Sequence, residues 1–81
     1  MYYVYGLYSP AYKKIYIGFT SDLENRLFLH NNPINNGYTS RFKPWIILYS
    51  EELYDKKTAI LREKQLKSAK GRLFIKSFIP K

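Results

Sequence analysis

Residues 2–19 read YYVYGLYSPAYKKIYIGF, and this stretch decides the fold that we expect for the chain. Its two ends, residues 2–8 and 14–19, are rich in Tyr, Val and Ile, the residue types that favour β-strands. Between them, Ser9–Lys13 contains a proline and is typical of a hairpin loop. The stretch therefore predicts two antiparallel strands joined by a short loop.

Side chains alternate between the two faces of a strand, and this alternation assigns each residue of the two strands to one face. In the first strand, Tyr5 shares a face with Leu7, and Val4 lies on the other face. In the second strand, Tyr16 shares a face with Gly18. Pairing across the hairpin can therefore bring the hydroxyls of Tyr5 and Tyr16 to one face, although tyrosines in half-buried strands are more often structural.

The segment after the hairpin predicts a helix and then a loop. Thr20 or Ser21 can cap the helix, and Asp22 and Glu24 suit its positive N-terminal end. We expect the helix to end near residue 30 or 31, because residues 31–37 read NNPINNG and contain strong helix breakers.

The C-terminal half predicts one more strand and two helices. The apolar run WIILY at residues 45–49 has strand length and follows Pro44. Asp55 can cap a helix that ends near Ser68. Ser68 can in turn cap a last short helix, which Gly71 weakens and which ends before Pro80. The order β-β-α-β-α-α predicts an α+β fold, and 81 residues allow one domain, residues 1–81.

The composition excludes several classes of protein. The chain has no cysteine, which excludes a disulfide scaffold, thiolate catalysis and a zinc–cysteine site. Its single histidine, His30, excludes a site that needs two imidazoles. It has no apolar run long enough to span a membrane. Its N-terminus also lacks the basic segment followed by an apolar run that is typical of a secretory signal. We therefore expect a cytoplasmic protein that does not bind a membrane.

Positive charge is concentrated at the C-terminal end. The net charge is +8, and residues 55–81 carry nine basic and two acidic residues. A surface of this kind favours a polyanion, above all nucleic acid, as the partner. A solvated lysine-rich face explains the same charge, so charge alone leaves both interpretations open.

Glu63 is the one acidic residue after Asp55, and it falls within an apolar stripe. On a helical wheel it lies among Ala59, Ile60 and Leu66. The simple interpretation is an i,i+4 ion pair with Lys67 at the surface. The alternative is a ligand for one divalent metal in a basic surface, which is what phosphodiester hydrolysis requires.

The first helix carries a second polar pair at i,i+4 spacing. Arg26 and His30 share the helical edge that we expect to point toward the sheet. Arginine can bind a phosphate with two donors, and histidine can donate or relay a proton. The simpler alternatives are an ion pair of Arg26 with Asp22 and a His30 that caps the carbonyls at the helix end.

These blocks together resemble the GIY-YIG nucleases, and most closely the small stand-alone bacterial members. The matching segments, in order, are Tyr3-Val4-Tyr5, Tyr16-Ile17-Gly18, residues 22–31, Gly37–Arg41, Pro44-Trp45 and Arg62–Lys67. They cover about residues 2–75. The resemblance implies a three-stranded antiparallel sheet flanked by helices, and hydrolysis of a phosphodiester with one divalent metal, Mg²⁺ or Mn²⁺.

The resemblance also implies roles for individual residues. Tyr5 and Tyr16 would handle the attacking water, Arg26 would stabilise charge on the phosphate, and His30 matches a histidine that some members use. Glu63 would bind the metal, and Gly18 would let the chain pass close to the site. The positions that would contact nucleic acid are Tyr38, Thr39, Arg41 and Lys64, and we add Lys67 and Lys70 from the charge pattern.

Two departures from the family pattern stand out. The glycine of the first motif is absent from Tyr3-Val4-Tyr5, which leaves the tyrosine that carries the chemistry. Many members also have an asparagine on the last helix, and this chain has none after Asn36. Ser77 or another polar group would have to replace it, or the site would be less rigid and less active.

Three functions are compatible with the sequence. The first is a DNA endonuclease that nicks or cuts particular DNA structures, acting as a monomer or weak homodimer, with RNA also possible as a substrate. The second is a non-catalytic basic module that binds nucleic acid through the same fold. The third, a basic structural protein bound to ribosomes or RNA, leaves Glu63 unexplained.

Overall fold

The computed structural model describes residues 1–32 and 38–80, except for the side chains of Tyr38 and Ser40. The predicted loop centre and the side chain of Tyr38 therefore lie outside the described part. The elements, in order, are β1 (Tyr2–Ser9), β2 (Lys14–Thr20), α1 (Leu23–Asn31), a 3₁₀ helix (Tyr38–Phe42), β3 (Ile46–Leu53), α2 (Lys56–Lys67) and α3 (Ala69–Lys76). None of the described helices has the length and apolar character needed to span a membrane.

The three strands form one antiparallel sheet in the order β2-β1-β3. This confirms the predicted α+β class and the order of strands and main helices. In the register, Tyr5 lies opposite Gly18 on β2 and opposite Ser50 on β3. Leu7 lies opposite Tyr16, so the tyrosine face predicted from the alternation exists as one surface.

Three local details differ from the sequence-based prediction. Asp22, and not Thr20 or Ser21, caps α1, with its carboxylate accepting a hydrogen bond from the Asn25 N–H at 3.1 Å. The third strand begins one residue later than predicted and continues to Leu53, because the polar residues 50–52 still pair with β1. The 3₁₀ helix was not predicted, since five residues are too few to show a periodic pattern.

Helices α2 and α3 cover one face of the sheet, which we call the back face. Its core consists of residues at most 3% exposed: Val4, Ile17, Ala59, Leu66 and Ile75. Gly71, which we expected to weaken the last helix, lies where α3 meets α2. A Cβ at Gly71 would overlap the backbone of Leu66, so the missing side chain permits the close packing of the two helices.

The opposite face, which we call the front face, is covered by α1 and by Trp45. Tyr5, Leu7 and Trp45 are at most 2% exposed, and Leu23 and Leu27 of α1 pack against them. Trp45 is thus a core residue, as its position in an apolar run indicates. The front face carries most of the predicted catalytic residues.

Candidate active site

Tyr5 is the centre of the front face. It lies on the middle strand and is 2% exposed, so its hydroxyl must find a partner inside the protein. That partner is Nε2 of His30, 3.0 Å from the Tyr5 hydroxyl oxygen. The two residues are 25 positions apart in the chain, and the packing of α1 on the sheet brings them together.

His30 lies in the last turn of α1 and is held at both ring nitrogens. Nδ1 lies 2.9 Å from the hydroxyl oxygen of Thr39 in the 3₁₀ helix. The carbonyl oxygen of Thr39 in turn accepts a hydrogen bond from the indole N–H of Trp45 at 2.7 Å. The His30 ring therefore does not cap the helix carbonyls, which was the simpler alternative. It links Tyr5 to Thr39 in a buried chain of polar contacts.

Asn31 fixes the position of this histidine. Its side-chain oxygen accepts from the Trp45 N–H at 2.6 Å, and its side-chain nitrogen donates to the Trp45 carbonyl at 3.1 Å. These two bonds tie the end of α1 to the start of β3. The sequence analysis missed Asn31 because nothing in its position at the end of a predicted helix pairs it with a residue 14 positions away.

The environment keeps both Tyr5 and His30 neutral near pH 7. Burial, and then the positive charge of Arg26, lower the pKa of His30 from its ordinary value. Burial is also the main cause that raises the pKa of Tyr5 well above its ordinary value, followed by Tyr16. Arg26 lowers the pKa of Tyr5, but burial outweighs it.

A neutral imidazole accepts a hydrogen bond at one nitrogen and donates from the other. With its proton on Nδ1, His30 donates to the Thr39 hydroxyl and accepts the hydroxyl proton of Tyr5 at Nε2. In this tautomer the oxygen of Tyr5 still has lone pairs available as acceptors. The chain of contacts can thus receive a proton at Tyr5 and pass one to His30.

Tyr16 completes the aromatic wall of the site. Its ring centroid lies 6.4 Å from that of Tyr5 and 4.9 Å from the imidazole of His30. It is partly exposed, whereas Tyr5 is buried. The structure therefore brings the two tyrosines together on one face, with Tyr16 nearer to the solvent.

Gly18 leaves the space that the Tyr5 hydroxyl occupies. A Cβ built on Gly18 would lie 2.7 Å from the Tyr5 hydroxyl oxygen and 3.2 Å from Cε1 of Tyr16. Both distances are shorter than ordinary contacts of a methyl group. The backbone of β2 can run beside the two tyrosines because this residue has no side chain.

Glu63 contributes the negative charge near the site. It lies on α2 with its side chain 18% exposed, and Lys67 is its ion-pair partner at 3.7 Å. The ion pair that we considered as the simple interpretation is therefore formed. Its negative charge is the last of the causes that raise the pKa of Tyr5, after burial and Tyr16.

The donor set of the site fits one hard divalent cation. Within residues 1–32 and 38–80, no three His, Asp or Glu side chains are grouped so as to hold a metal. Mg²⁺ commonly binds through one or two carboxylates and completes its shell with water and substrate phosphate oxygens. The partly exposed carboxylate of Glu63 can serve as such a ligand, with solvent open on one side.

Arg26 presents its guanidinium to solvent beside Tyr5 and His30. Its charge acts on the pKa of both residues, and its side chain is exposed. In the described part of the chain it forms no ion pair with a carboxylate. Asp22, the competing partner considered from the sequence, instead caps the first turn of α1. Arg26 is therefore available to an anion.

A comparison with protein families agrees with this arrangement. The model of the GIY-YIG catalytic domain matches residues 1–76 of the 81-residue chain. The chain belongs to the GIY-YIG family. Membership makes it a domain of a nuclease family, whose substrates are nucleic acids and whose members generally use divalent metal ions. Searches of curated proteins and of solved structures found no significant match.

The residues expected to contact nucleic acid occupy different surroundings in this GIY-YIG domain. Thr39 is 5% exposed and supports His30, so its side chain lies inside the protein. Arg41, Lys64 and Lys70 are exposed. Lys67 is exposed as well, and it pairs with Glu63 and lines a cleft with Tyr16 at the edge of β2. Of these cations, the structure shows Lys67 beside Tyr16 of the site.

Ser77 does not replace the missing asparagine of the family. Its hydroxyl donates to the carbonyl oxygen of Phe74 in its own helix at 2.5 Å, and the residue is exposed. The support that His30 receives comes from the other side of the site, from Thr39 and Asn31 through Trp45.

Proposed function

We propose that this GIY-YIG protein is an endonuclease that hydrolyses DNA phosphodiester bonds with a single divalent metal ion, Mg²⁺ or Mn²⁺. The observation that carries the proposal is the buried contact of Tyr5 with His30, at 3.0 Å, next to the charges of Arg26 and Glu63. The polar contacts at both nitrogens of His30 are directional, and apolar packing alone does not require them.

The proposed proton path begins at the attacking water. The water donates to the oxygen of Tyr5 while the hydroxyl proton of Tyr5 moves to Nε2 of His30. This relay does not require a free phenolate, which the raised pKa of Tyr5 disfavours. It requires a neutral His30, which the lowered pKa of that residue provides near pH 7.

Arg26 would bind the scissile phosphate. Its guanidinium is exposed beside Tyr5 and His30 and has no carboxylate partner among the described residues. Charge on the phosphate oxygens increases as water attacks, and a positioned guanidinium stabilises that charge with two donors. Tyr16, at the exposed rim of the site, would contact the water or the phosphate.

Glu63 would hold the metal ion. A bound divalent cation supplies Lewis-acid stabilisation to the phosphate oxygens and the leaving group. The carboxylate of Glu63 would exchange its ion pair with Lys67 for the metal, and Lys67 would then be free to approach the nucleic-acid backbone.

One such site cuts one strand. We therefore propose that the protein, as a monomer or weak homodimer, nicks duplex DNA or cuts branched, flapped or single-stranded DNA. RNA remains a possible substrate, and the cytoplasm is the compartment that we propose.

The test is a cleavage assay on supercoiled, branched and single-stranded DNA, with Mg²⁺, with Mn²⁺ and with a chelator. We expect cleavage of at least one substrate in the presence of metal and none with chelator. Arg26→Gln, purified identically, is the control for contaminating nuclease, since an exposed residue can be replaced without unfolding the protein. If wild type and Arg26→Gln cleave equally, the activity belongs to a contaminant.

A non-catalytic nucleic-acid-binding module with the same fold predicts a different outcome. It would bind the same DNA, with an affinity that falls as salt rises, and would cleave none of the substrates with either metal. That result would replace the endonuclease proposal by the binding-module proposal.

A further inference from the structure

We propose that the tip of the β1–β2 hairpin, together with the neighbouring 3₁₀ helix, binds an unpaired nucleotide of the nucleic-acid strand. This surface, which we call the hairpin patch, consists of two aromatic and four basic residues: Tyr12, Lys13, Lys14, Arg41, Phe42 and Lys43. The inference rests on the proposed nucleic-acid substrate and names the form of strand that the site prefers.

The two aromatic rings of the hairpin patch support each other. The centroids of Tyr12 and Phe42 are 5.3 Å apart with an interplanar angle of 75°. Phe42 packs on the front-face cluster of Tyr5, Leu7 and Trp45, which anchors it. Tyr12 is 52% exposed, so its ring is both held in place and open to solvent.

The hairpin loop that carries Tyr12 is closed by a backbone bond. The Lys13 N–H donates to the carbonyl of Ser9 at 2.7 Å, and Ser9 is fully buried. The tip is thus a tight turn rather than a long loop. A base that stacks on Tyr12 would meet a surface that needs little ordering on binding.

The charge of the hairpin patch is uniformly positive. The segments 9–14 and 38–43 contain four basic residues and no acidic residue. Lys14 places Nζ 5.6 Å from the centroid of the Phe42 ring, and Arg41 is exposed. None of the four cations forms an ion pair with a carboxylate in the described part of the chain. Such cations next to an exposed ring are complementary to a phosphate next to a base.

The hairpin patch adjoins the candidate active site. Lys14 and Tyr16 lie two residues apart on β2 and share the front face, which separates their Cα atoms by ~7 Å. Arg41 follows two residues after Thr39, whose hydroxyl contacts His30. A strand bound at the hairpin patch would therefore place a phosphate near Tyr5 and Arg26 within a few nucleotides.

An exposed aromatic ring distinguishes an unpaired strand from a duplex. A base stacks on an aromatic side chain through its flat face, and inside a duplex both faces of each base are covered by neighbouring pairs. Loss of one stacking ring weakens single-strand binding by roughly 5- to 150-fold. A merely solvated basic loop predicts no such selective loss.

The experiment measures binding by fluorescence anisotropy with chelator present, so that no cleavage occurs. The probes are a fluorescein-labelled oligo(dT) and a labelled duplex of the same length. We expect Tyr12→Ala to weaken binding of the oligo(dT) at least fivefold and that of the duplex less than twofold. Tyr12→Trp, which keeps a larger stacking ring, should bind the oligo(dT) at least as well as wild type.

Tyr54→Ala is the matched control. Tyr54 is 89% exposed and follows β3 at the opposite end of the sheet, where Leu53 pairs with Tyr2. We expect it to bind both probes like wild type. Equal binding of wild type and Tyr12→Ala to the oligo(dT), an equal loss on both probes, an equal loss from Tyr54→Ala, or no binding by wild type would overturn the proposal.

A second pair of variants tests the charge. Changing Lys13 and Lys14 to Ala should flatten the dependence of log affinity on log salt by about 1.4 on the single strand. Changing Lys56 and Lys57, which carry the same charge at the other end of the sheet, should flatten it by less than half as much. Equal changes in slope would show that the hairpin patch has no special part in binding.

These measurements separate the two proposals. If no DNA is cleaved but Tyr12→Ala selectively loses the oligo(dT), the endonuclease proposal fails and the hairpin patch stands. If DNA is cleaved but Tyr12→Ala binds both probes like wild type, the hairpin patch fails and the endonuclease proposal stands.

Discussion

The two faces of the sheet are built from the same strands by alternate residues, and they differ in what holds them together. On the back face, Val4 and Ile17 pack against α2 and α3 with no polar contact between them. On the front face, Tyr5 is equally buried but depends on a hydrogen bond to His30. Burial alone therefore does not distinguish a residue that stabilises the core by packing from a residue with a proposed catalytic role.

The difference lies in how each face responds to change. Apolar packing on the back face is non-directional, so a substitution there lowers stability roughly in proportion to the apolar surface that it removes from the core. The polar chain on the front face is directional, and removal of a hydroxyl leaves a buried partner unsatisfied. Paired substitutions of the same chemistry on the two faces should therefore separate stability from activity.

The largest expected effect is the loss of cleavage when Glu63 is changed and a second glutamate serves as the control. Glu63→Gln keeps the shape of the side chain but removes the anion that we propose as the metal ligand, so metal-dependent cleavage should be lost. Its ion pair with Lys67 is exposed on the lysine side, and the melting temperature should change little. Isothermal titration with Mn²⁺ and a nicking assay measure the two parts of the proposed role.

Glu51→Gln is the control for this change, at a glutamate of β3 whose ion-pair partner is also on α2. Glu51 pairs with Arg62 at 3.0 Å and accepts a hydrogen bond from Tyr49 at 2.7 Å. We expect it to lower the free energy of unfolding by ~1 kcal/mol and to keep the cleavage rate of the folded protein. A Glu63→Gln variant that nicks at the wild-type rate would contradict the catalytic assignment.

A pair of tyrosines gives the next largest effect. Tyr5→Phe removes the hydroxyl that receives the proton, and turnover should fall by roughly 10²–10⁴. Tyr49→Phe removes a hydroxyl on the back face and should leave turnover unchanged. Single-turnover cleavage of a labelled substrate is the measurement, and equal rates for Tyr5→Phe and wild type would make Tyr5 a structural residue.

Two glycines, one on each face, allow the faces to be compared by substitutions that remove no polar group. A Cβ at Gly18 would displace the Tyr5 hydroxyl, and a Cβ at Gly6 would lie 2.9 Å from Cγ2 of Ile75 on the back face. Gly18→Ala should therefore slow cleavage, by up to ~10²-fold. Gly6→Ala should lower stability by about 1–3 kcal/mol and keep the rate per folded molecule. The measurements are thermal melts and cleavage rates. If each variant lost both stability and cleavage rate to the same extent, the expected separation of activity on the front face from stability on the back face would be contradicted.

The smallest expected effect is the pH dependence between pH 7 and 9. Because the pKa of His30 is lowered, cleavage should fall only at acidic pH, where His30 gains a proton and can no longer accept one from Tyr5. Above pH 7 the rate should change less than twofold, since the raised pKa of Tyr5 keeps it neutral. A rate that keeps rising toward pH 10 would instead indicate a phenolate.

The free energy of unfolding should also fall at acidic pH. Below the ordinary pKa of His30, about 6.5, the unfolded chain binds a proton that the folded protein resists. The contribution of His30 is therefore present above pH 6.5 and is lost as the pH falls through its lowered pKa. His30→Gln removes this contribution, and chemical denaturation at pH 7 and pH 5.5 should then show a smaller difference than in wild type.

The strands, the caps of α2 and α3 and the pairing of faces could be predicted from the sequence because they follow from local patterns. Over residues 2–8, period 2 places Tyr5 and Leu7 on one face and Val4 on the other, which leaves one choice of face for each residue. Asp55 and Ser68 cap helices α2 and α3 as expected. Glu63 stood out from the sequence because it falls within an apolar stripe, and Arg26 because it shares a helical edge with His30.

The contacts of the site depend on the tertiary structure, because they join residues that no local pattern relates. Thr39 and Asn31 look like loop and helix-end residues, and only the packing of α1 and the 3₁₀ helix around Trp45 makes them the support of His30. The protonation state of Tyr5 also depends on the tertiary structure. Residue types show that Arg26 can lower its pKa, but burial on the middle strand raises it further, and burial is a property of the folded protein.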